Sequence, residues 1–191
     1  MNSRPCPDAS PNGVTDAPHR SALLTLLFTD VVDSVRLKEE HGDRRGLRLL
    51  EKHDAILRRL LAECPDGREA QVAGDSFCLV FPRPSDAVVF ALRLQRELRA
   101  LSAEENVPIH DRIGIHVGEV LLTDEGPYGR PIGGIQIDTC ARLMSLGAGD
   151  QILVSRFVFD SARQALRGET ADRVGTLAWL NHGLYEFKGM G

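Results

Sequence analysis

The chain has little of what marks the more specialised protein classes. Its four cysteines, Cys6, Cys64, Cys78 and Cys140, lie far apart with no C-x-x-C pair, which excludes a structural zinc centre. Cys78 and Cys140 fall within apolar segments, where a reduced thiol acts as a small hydrophobe, so a cytoplasmic protein is expected. Long hydrophobic runs are missing too. The longest, Ala22 to Phe28, is far short of the roughly 20 residues that cross a bilayer, and the start of the chain has no signal-peptide core. No membrane partner is expected. There is no excess of positive charge: 23 Lys+Arg against 27 Asp+Glu give a formal charge of −4, without a basic cluster suited to a phosphate backbone. Nucleic acid is not expected as a partner. Internal repeats are absent as well. What remains is a chain of 191 residues, 42% hydrophobic, long enough for one globular domain with a real core.

Residues 1–20 are rich in Pro, Asn, Asp and Ser, show no apolar period, and are expected to form a flexible tail. The remainder, 21–191, reads as one domain. From Leu23 the run LLTLLF has the length of a buried central strand and ends in Thr29-Asp30. Leucines and isoleucines then recur at helical spacing from about Ser34 to Cys64, with Gly42 as a break between two helices. Ala70 to Ala73 and Phe77 to Phe81 read as a hairpin closed by Gly74-Asp75-Ser76. Pro84-Ser85-Asp86 opens a helix that runs to Asn106, with Ser85 or Asp86 as N-cap. Ile113 to Val117 and Val120 to Leu122 are predicted as strands around Gly118-Glu119, followed by a loop from Thr123 to Gly134. Ile137 to Leu146 and Phe157 to Leu166 are predicted helices. Gln151 to Ser155, Thr176 to Leu180 and Leu184 to Phe187 are predicted strands. This order implies an α+β sandwich with a mostly antiparallel sheet flanked by helices.

Two carboxylates stand where chemistry is often found, Asp30 at a strand end and Asp75 at a hairpin tip. If the first strand lay between the arms of the hairpin, they would meet at one sheet edge and suit a hard cation of the magnesium kind. Spacing alone fits an ordinary cap and an ordinary turn equally well. His116 reads as a packed strand residue, and His41 and His53 as solvated residues on a charged helix face.

Five segments, LLFTDVVDSVRL, AGDSFCLVF, RIGIHVGEV, IDTCARLMSLG and LYEFKGMG, occur in the order in which similar segments occur in class III nucleotidyl cyclases. The chain from about residue 23 onward resembles the catalytic domain of that adenylate and guanylate cyclase family. The resemblance implies a ferredoxin-like-derived fold that makes a 3′,5′-cyclic nucleotide and pyrophosphate from a nucleoside triphosphate. It implies two Mg²⁺ or Mn²⁺ ions held by Asp30, Asp75 and the backbone carbonyl of Val31. It further implies that Arg142 stabilises charge on the α-phosphoryl group, that Lys188 contacts phosphate, and that Asp33 and Ser34 belong to the turn that wraps the triphosphate. Family members work as head-to-tail dimers, so a homodimer with composite sites is implied, with metal aspartates from one copy and Arg142 from the other.

Several positions depart from the family pattern. Asp138 stands where an Asn usually positions the ribose, and it keeps an acceptor but loses the amide donor. Gln71 replaces the base-reading lysine of adenylate-forming members, and Pro131 replaces its polar partner. A glutamine amide pairs with the N1/N6 edge of adenine or the N3/O4 edge of uracil, so ATP, GTP and pyrimidine triphosphates stay open as substrates. Asp33 stands where glycine is common, and as an N-cap it would point away from the ligand. A degenerate domain that binds nucleotide or only dimerises is the alternative to an enzyme. The chain ends at Phe187-Lys188-Gly189-Met190-Gly191, where family domains continue into one more edge strand, so a truncation there is expected; the resemblance to bacterial members with a similar ending implies further C-terminal regulatory domains.

Overall fold

The computed structural model describes residues 20–123, 131–167 and 177–185. In chain order the elements are β1 (Arg20–Val31), α1 (Ser34–His41), α2 (Asp43–Ala62), β2 (Arg68–Ala73), β3 (Ser76–Phe81), α3 (Pro84–Glu105), β4 (Asp111–Leu122), β5 (Pro131–Gly133), α4 (Ile135–Ser145), β6 (Ile152–Val154) and α5 (Arg156–Ala165). The sheet order is β2-β3-β1-β4-β5, with β6 parallel to β4 and every other pair antiparallel. This is the α+β architecture that the element order implied.

The apolar run of β1 makes it the central strand, paired with β3 on one side and along its whole length with β4 on the other. Successive side chains point to opposite faces. Leu27 therefore joins Phe77, Leu79, Ile113 and Ile115 under α2, α3 and α5, in a core that also takes Leu49, Leu57, Leu94, Leu98 and Val158. Leu26 points the other way, toward Cys78, Val80, Val120, Leu122 and Cys140 of α4. Each fully buried Leu or Phe contributes about 1.5–3 kcal/mol relative to leaving it in water.

A buried polar cluster ties α2 and α3 to the sheet. His53 Nε2 lies 3.0 and 3.1 Å from the two carboxylate oxygens of Asp111, and His53 Nδ1 lies 3.1 Å from Asp54 Oδ1. The Thr29 hydroxyl donates to Asp111, and Gln95 Nε2 donates to the Asp111 carbonyl at 2.8 Å. Burial pushes the His53 pKa down, but the hydrogen bonds to Asp111 and Asp54 outweigh it and raise it to about 9. His53 is fully buried, not solvated as its charged helix had implied.

Other expectations shift in detail. Arg20 already belongs to β1, while the rest of the proposed tail lies outside the described residues. Gly42, at φ 80°, separates α1 from α2 as expected. The N-cap of α3 is Arg83, not Ser85 or Asp86. Pro84 takes the first helical position, where its missing N–H costs nothing, and Asp86 accepts a hydrogen bond from Arg83 at 2.7 Å. The two strands predicted around Gly118 are one strand, β4, because the ladder to β1 runs unbroken from Arg20 opposite Leu122 to Val31 opposite Asp111. The glycine-rich segment after it contains β5. Residues 177–185 form no strand: Leu180 and Leu184 are 82% and 104% exposed and pair with no strand among the described residues. Thr176, Glu186 and Phe187, the other residues of those two predicted strands, lie outside the described residues.

Candidate active site

β1 does not lie between the arms of the hairpin; it lies beside β3, and this still brings the two aspartates to one place. Asp30 is next to last in β1, opposite Arg112 of β4. Arg112 donates to Asp30 Oδ2 from Nε at 3.0 Å and from Nη2 at 2.5 Å, and the Ser76 hydroxyl donates to Oδ1. This fork of donors holds a carboxylate that is only 14% exposed. Asp75 occupies the β2–β3 turn beside it, because Phe77 pairs with Thr29. Both aspartates line an open cleft of about 400 Å³, together with Val31, Asp33, Ser34, Val35, Arg36, Glu39 and Arg112. That volume falls in the range of small-molecule sites, roughly 300–1,000 Å³.

The floor of the cleft beside Val31 is the start of α1. Asp33 takes the N-cap position in the left-handed conformation, φ 55° and ψ 35°, and its side chain makes no capping hydrogen bond. The expectation that it caps α1 and points away from the cleft is therefore corrected: Asp33 lines the cleft. Its backbone also explains why glycine suits this position, since left-handed φ carries no Cβ penalty there. The first N–H groups of a helix have no intrahelical acceptor, so the Asp33-Ser34-Val35 end of α1 offers donors to an anion.

The remaining residues lie elsewhere. Asp138 and Arg142 are one helical turn apart on α4, Asp138 exposed and Arg142 half-buried, and neither is among the described residues that line the cleft. Gln71 is exposed on β2, opposite Cys78 and hence on the α4 face of the sheet. Pro131 opens β5, opposite Leu122. Lys188 lies outside the described residues. Arg112 was missed by sequence reasoning, although it begins the segment RIGIHVGEV. Starting the strand at Ile113 hid it; continuing β4 back to Asp111 would have set Arg112 directly across from Asp30.

Among the described residues no three His, Cys, Asp or Glu side chains cluster closely enough to form a cage for a metal. Two carboxylates with a nearby backbone carbonyl nevertheless suit Mg²⁺ or Mn²⁺, which bind through one or two carboxylates and complete their shell with water and phosphate. The donor set fits a metal–nucleotide better than a free metal.

The fold thus sets Asp30, near the end of the central strand, beside Asp75 in the neighbouring turn of a mostly antiparallel sheet. The family profile described as the adenylate and guanylate cyclase catalytic domain matches residues 17–176, and the chain belongs to that family. The chain is 32% identical over 113 residues to the serine/threonine-protein kinase pkn2 of Myxococcus xanthus, covering 57% of this chain and 13% of that protein. It is 26% identical over 161 residues to an adenylate cyclase of Neurospora crassa, covering 73% of this chain and 7% of that one. It therefore spans a small part of these longer relatives. The crystal structure of the adenylyl cyclase CyaB from P. aeruginosa shares the fold, with a TM-score of 0.70 at 18% identity over 78% of this chain and 84% of that one.

Proposed function

We propose that this domain is a nucleotidyl cyclase whose working site is shared between two copies of the chain. The ribose 3′-oxygen attacks the α-phosphorus, the bond to the β-phosphate breaks, pyrophosphate leaves, and the hydroxyl proton passes to solvent. The observation that carries this reading is the division of the chemistry. Asp30, Asp75, Arg112 and the N-terminus of α1 line one cleft, whereas Asp138 and Arg142 ride on α4 outside its lining. A second copy, head to tail, supplies the missing half.

Asp30, Asp75 and the Val31 carbonyl would hold the metal ions, which when bound lower the pKa of the 3′-hydroxyl and offset the triphosphate charge. Arg112 neutralises Asp30 in the free protein and offers a planar fork of donors to phosphate oxygens once the nucleotide enters. The α1 N–H groups, Ser34 and Lys188 add donors around the phosphates, and Asp33 makes entry dependent on a cation. Arg142 of the partner copy stabilises charge on the α-phosphoryl group in the transition state. Asp138 accepts a hydrogen bond from the ribose. Gln71 reads the base edge and Pro131 adds no polar contact there, so ATP is the first substrate by family habit, with GTP or a pyrimidine triphosphate such as UTP as the alternative.

The replacements at Asp33, Gln71, Pro131 and Asp138 favour a second reading, a degenerate domain that binds nucleotide or only dimerises. One experiment separates the readings: product formation from ATP, GTP, CTP and UTP with Mn²⁺ or Mg²⁺, at several protein concentrations, beside Asp30→Ala. A cyclic product that rises more than linearly with protein and vanishes in the variant supports the enzyme and names its base. No product from a confirmed dimer favours the degenerate domain.

A further inference from the structure

Arg142 acts wherever α4 places it, and β4 holds α4 at very short range. Gly114, His116 and Gly118 alternate along β4 and so share the face turned toward α4. A Cβ at Gly114 would stand 2.4 Å from the Met144 backbone N, 2.7 Å from its Cα and 2.9 Å from the Cys140 carbonyl oxygen. A Cβ at Gly118 would stand 2.6 Å from Gln136 Cβ and Cγ. At Gly114 the obstacle is helix backbone, and at Gly118 it is the Gln136 side chain, which would have to shift. The Gly114 contacts, at Cys140 and Met144, bracket Arg142 in the helix.

His116 sits between the two glycines. It is 9% exposed, its Nε2 is 2.7 Å from Gln136 Oε1, and its Nδ1 is buried without a partner. Oε1 is an acceptor, so in this pair Nε2 is the donor, and the bond ties β4 to the first turn of α4. A packed strand histidine with no link to α4 would not need this arrangement. The Cys140 thiol adds a hydrogen bond to the Gly114 carbonyl at 3.4 Å.

We propose that Gly114, His116 and Gly118 form a seat that fixes α4 and thereby sets the position of Arg142 and Asp138. They are positioning residues that act through the helix, and the inference rests on the role given above to Arg142. A methyl at Gly114 has backbone to push against, so α4 must move next to Arg142. Loss of the His116–Gln136 bond frees the first turn instead.

An ångström of misplacement at a reacting centre costs on the order of a hundredfold in rate, so Gly114→Ala should lower kcat by about that factor with KM changed less than about threefold. Gln136→Ala and His116→Ala should lower kcat by about three- to tenfold, again with KM little changed. Gln136→Ala, at a half-buried helix position, serves if Gly114→Ala does not fold.

Mixing variants provides the test. A copy damaged in its seat still has Asp30 and Asp75, so mixing it with Asp30→Ala should restore one good site per heterodimer, whereas mixing it with Arg142→Ala should restore none. Recovery with both partners overturns the proposal, as does recovery with neither while Asp30→Ala plus Arg142→Ala recovers. If that last pair shows no recovery, the shared-site reading has failed, and amide hydrogen exchange decides the seat without turnover. In His116→Ala the amides of residues 135–145 should then exchange at least about tenfold faster while those of β1 and α3 stay as they were. Unchanged protection of α4 overturns the seat.

Discussion

On one side of the sheet, Leu27, Phe77, Leu79, Ile113 and Ile115 meet three helices and are completely buried. On the other, Leu26, Cys78 and Val80 are buried, but Leu24 and Phe28 are only half-buried and α4 is the one helix packed there among the described residues. The thick side also contains the His53–Asp111–Thr29 cluster, immediately behind Asp30 in sequence and space. The thin side presents Asp30, Gln71 and the α4 residues. The contrast separates two duties: the thick face fixes the backbone from which Asp30 projects, and the thin face leaves its polar groups open, as the proposed nucleotide and second copy require.

Substitutions should therefore sort by face. The largest effect is expected at the site: Asp30→Ala should reduce product formation by at least about a hundredfold, and Arg142→Ala by about 10²–10³ in kcat, both with little change in melting temperature. Initial rates and thermal melts on the same preparations check this. A large loss of stability in either variant would break the division between the faces.

Leu94→Ala, deep in the thick side, should destabilise the fold by about 2–5 kcal/mol in urea unfolding, and Leu24→Ala on the thin side by clearly less. Equal losses would mean that the thin face contributes as much to stability as the thick one.

His53 sharpens the same contrast through pH. Its pKa is about 9 in the folded protein against about 6.5 when unfolded, so its protonated form is favoured by folding. The stabilisation, about 3 kcal/mol, is fully present below pH 6.5 and disappears as pH rises through 9. Unfolding of the wild type at pH 6 and pH 9.5 should show that loss, and His53→Gln should remove most of it.

The smallest effect is expected at Asp33. Asp33→Gly removes a left-handed Cβ and a cleft charge, and should stabilise the fold by about 1 kcal/mol while lowering KM for the metal–nucleotide. A raised KM would assign Asp33 a favourable role in binding.

Much of this was legible in the residues. The run before Asp30, the break at Gly42 and the Gly74-Asp75 turn each carry a strong local signal, and the structure follows them. What local pattern did not show was tertiary. His53 reads as solvated because its neighbours are charged, yet the far end of β4 supplies the carboxylate that buries it. Gly118 reads as a strand end because glycine weakens a strand, yet here it is the space that α4 occupies. Leu180 and Leu184 have strand-like sequence, yet both are exposed and pair with no strand among the described residues. Within the site, Asp30 and Asp75 were visible by type and position. Arg112 required the register between β1 and β4, which one strand's sequence does not carry.

β4 answers to both faces at once. Ile113 and Ile115 fill the core, while Gly114 and Gly118 lie beneath α4. Because the side-chain period is two, deleting a single residue near Gly114 would turn the isoleucines toward α4 and the glycines toward the core. Away from Gly114 and Gly118 a substitution alters this strand at one position only, but a change in its length is ruinous. Among descendants of this chain, β4 should therefore keep its length even where its residues drift.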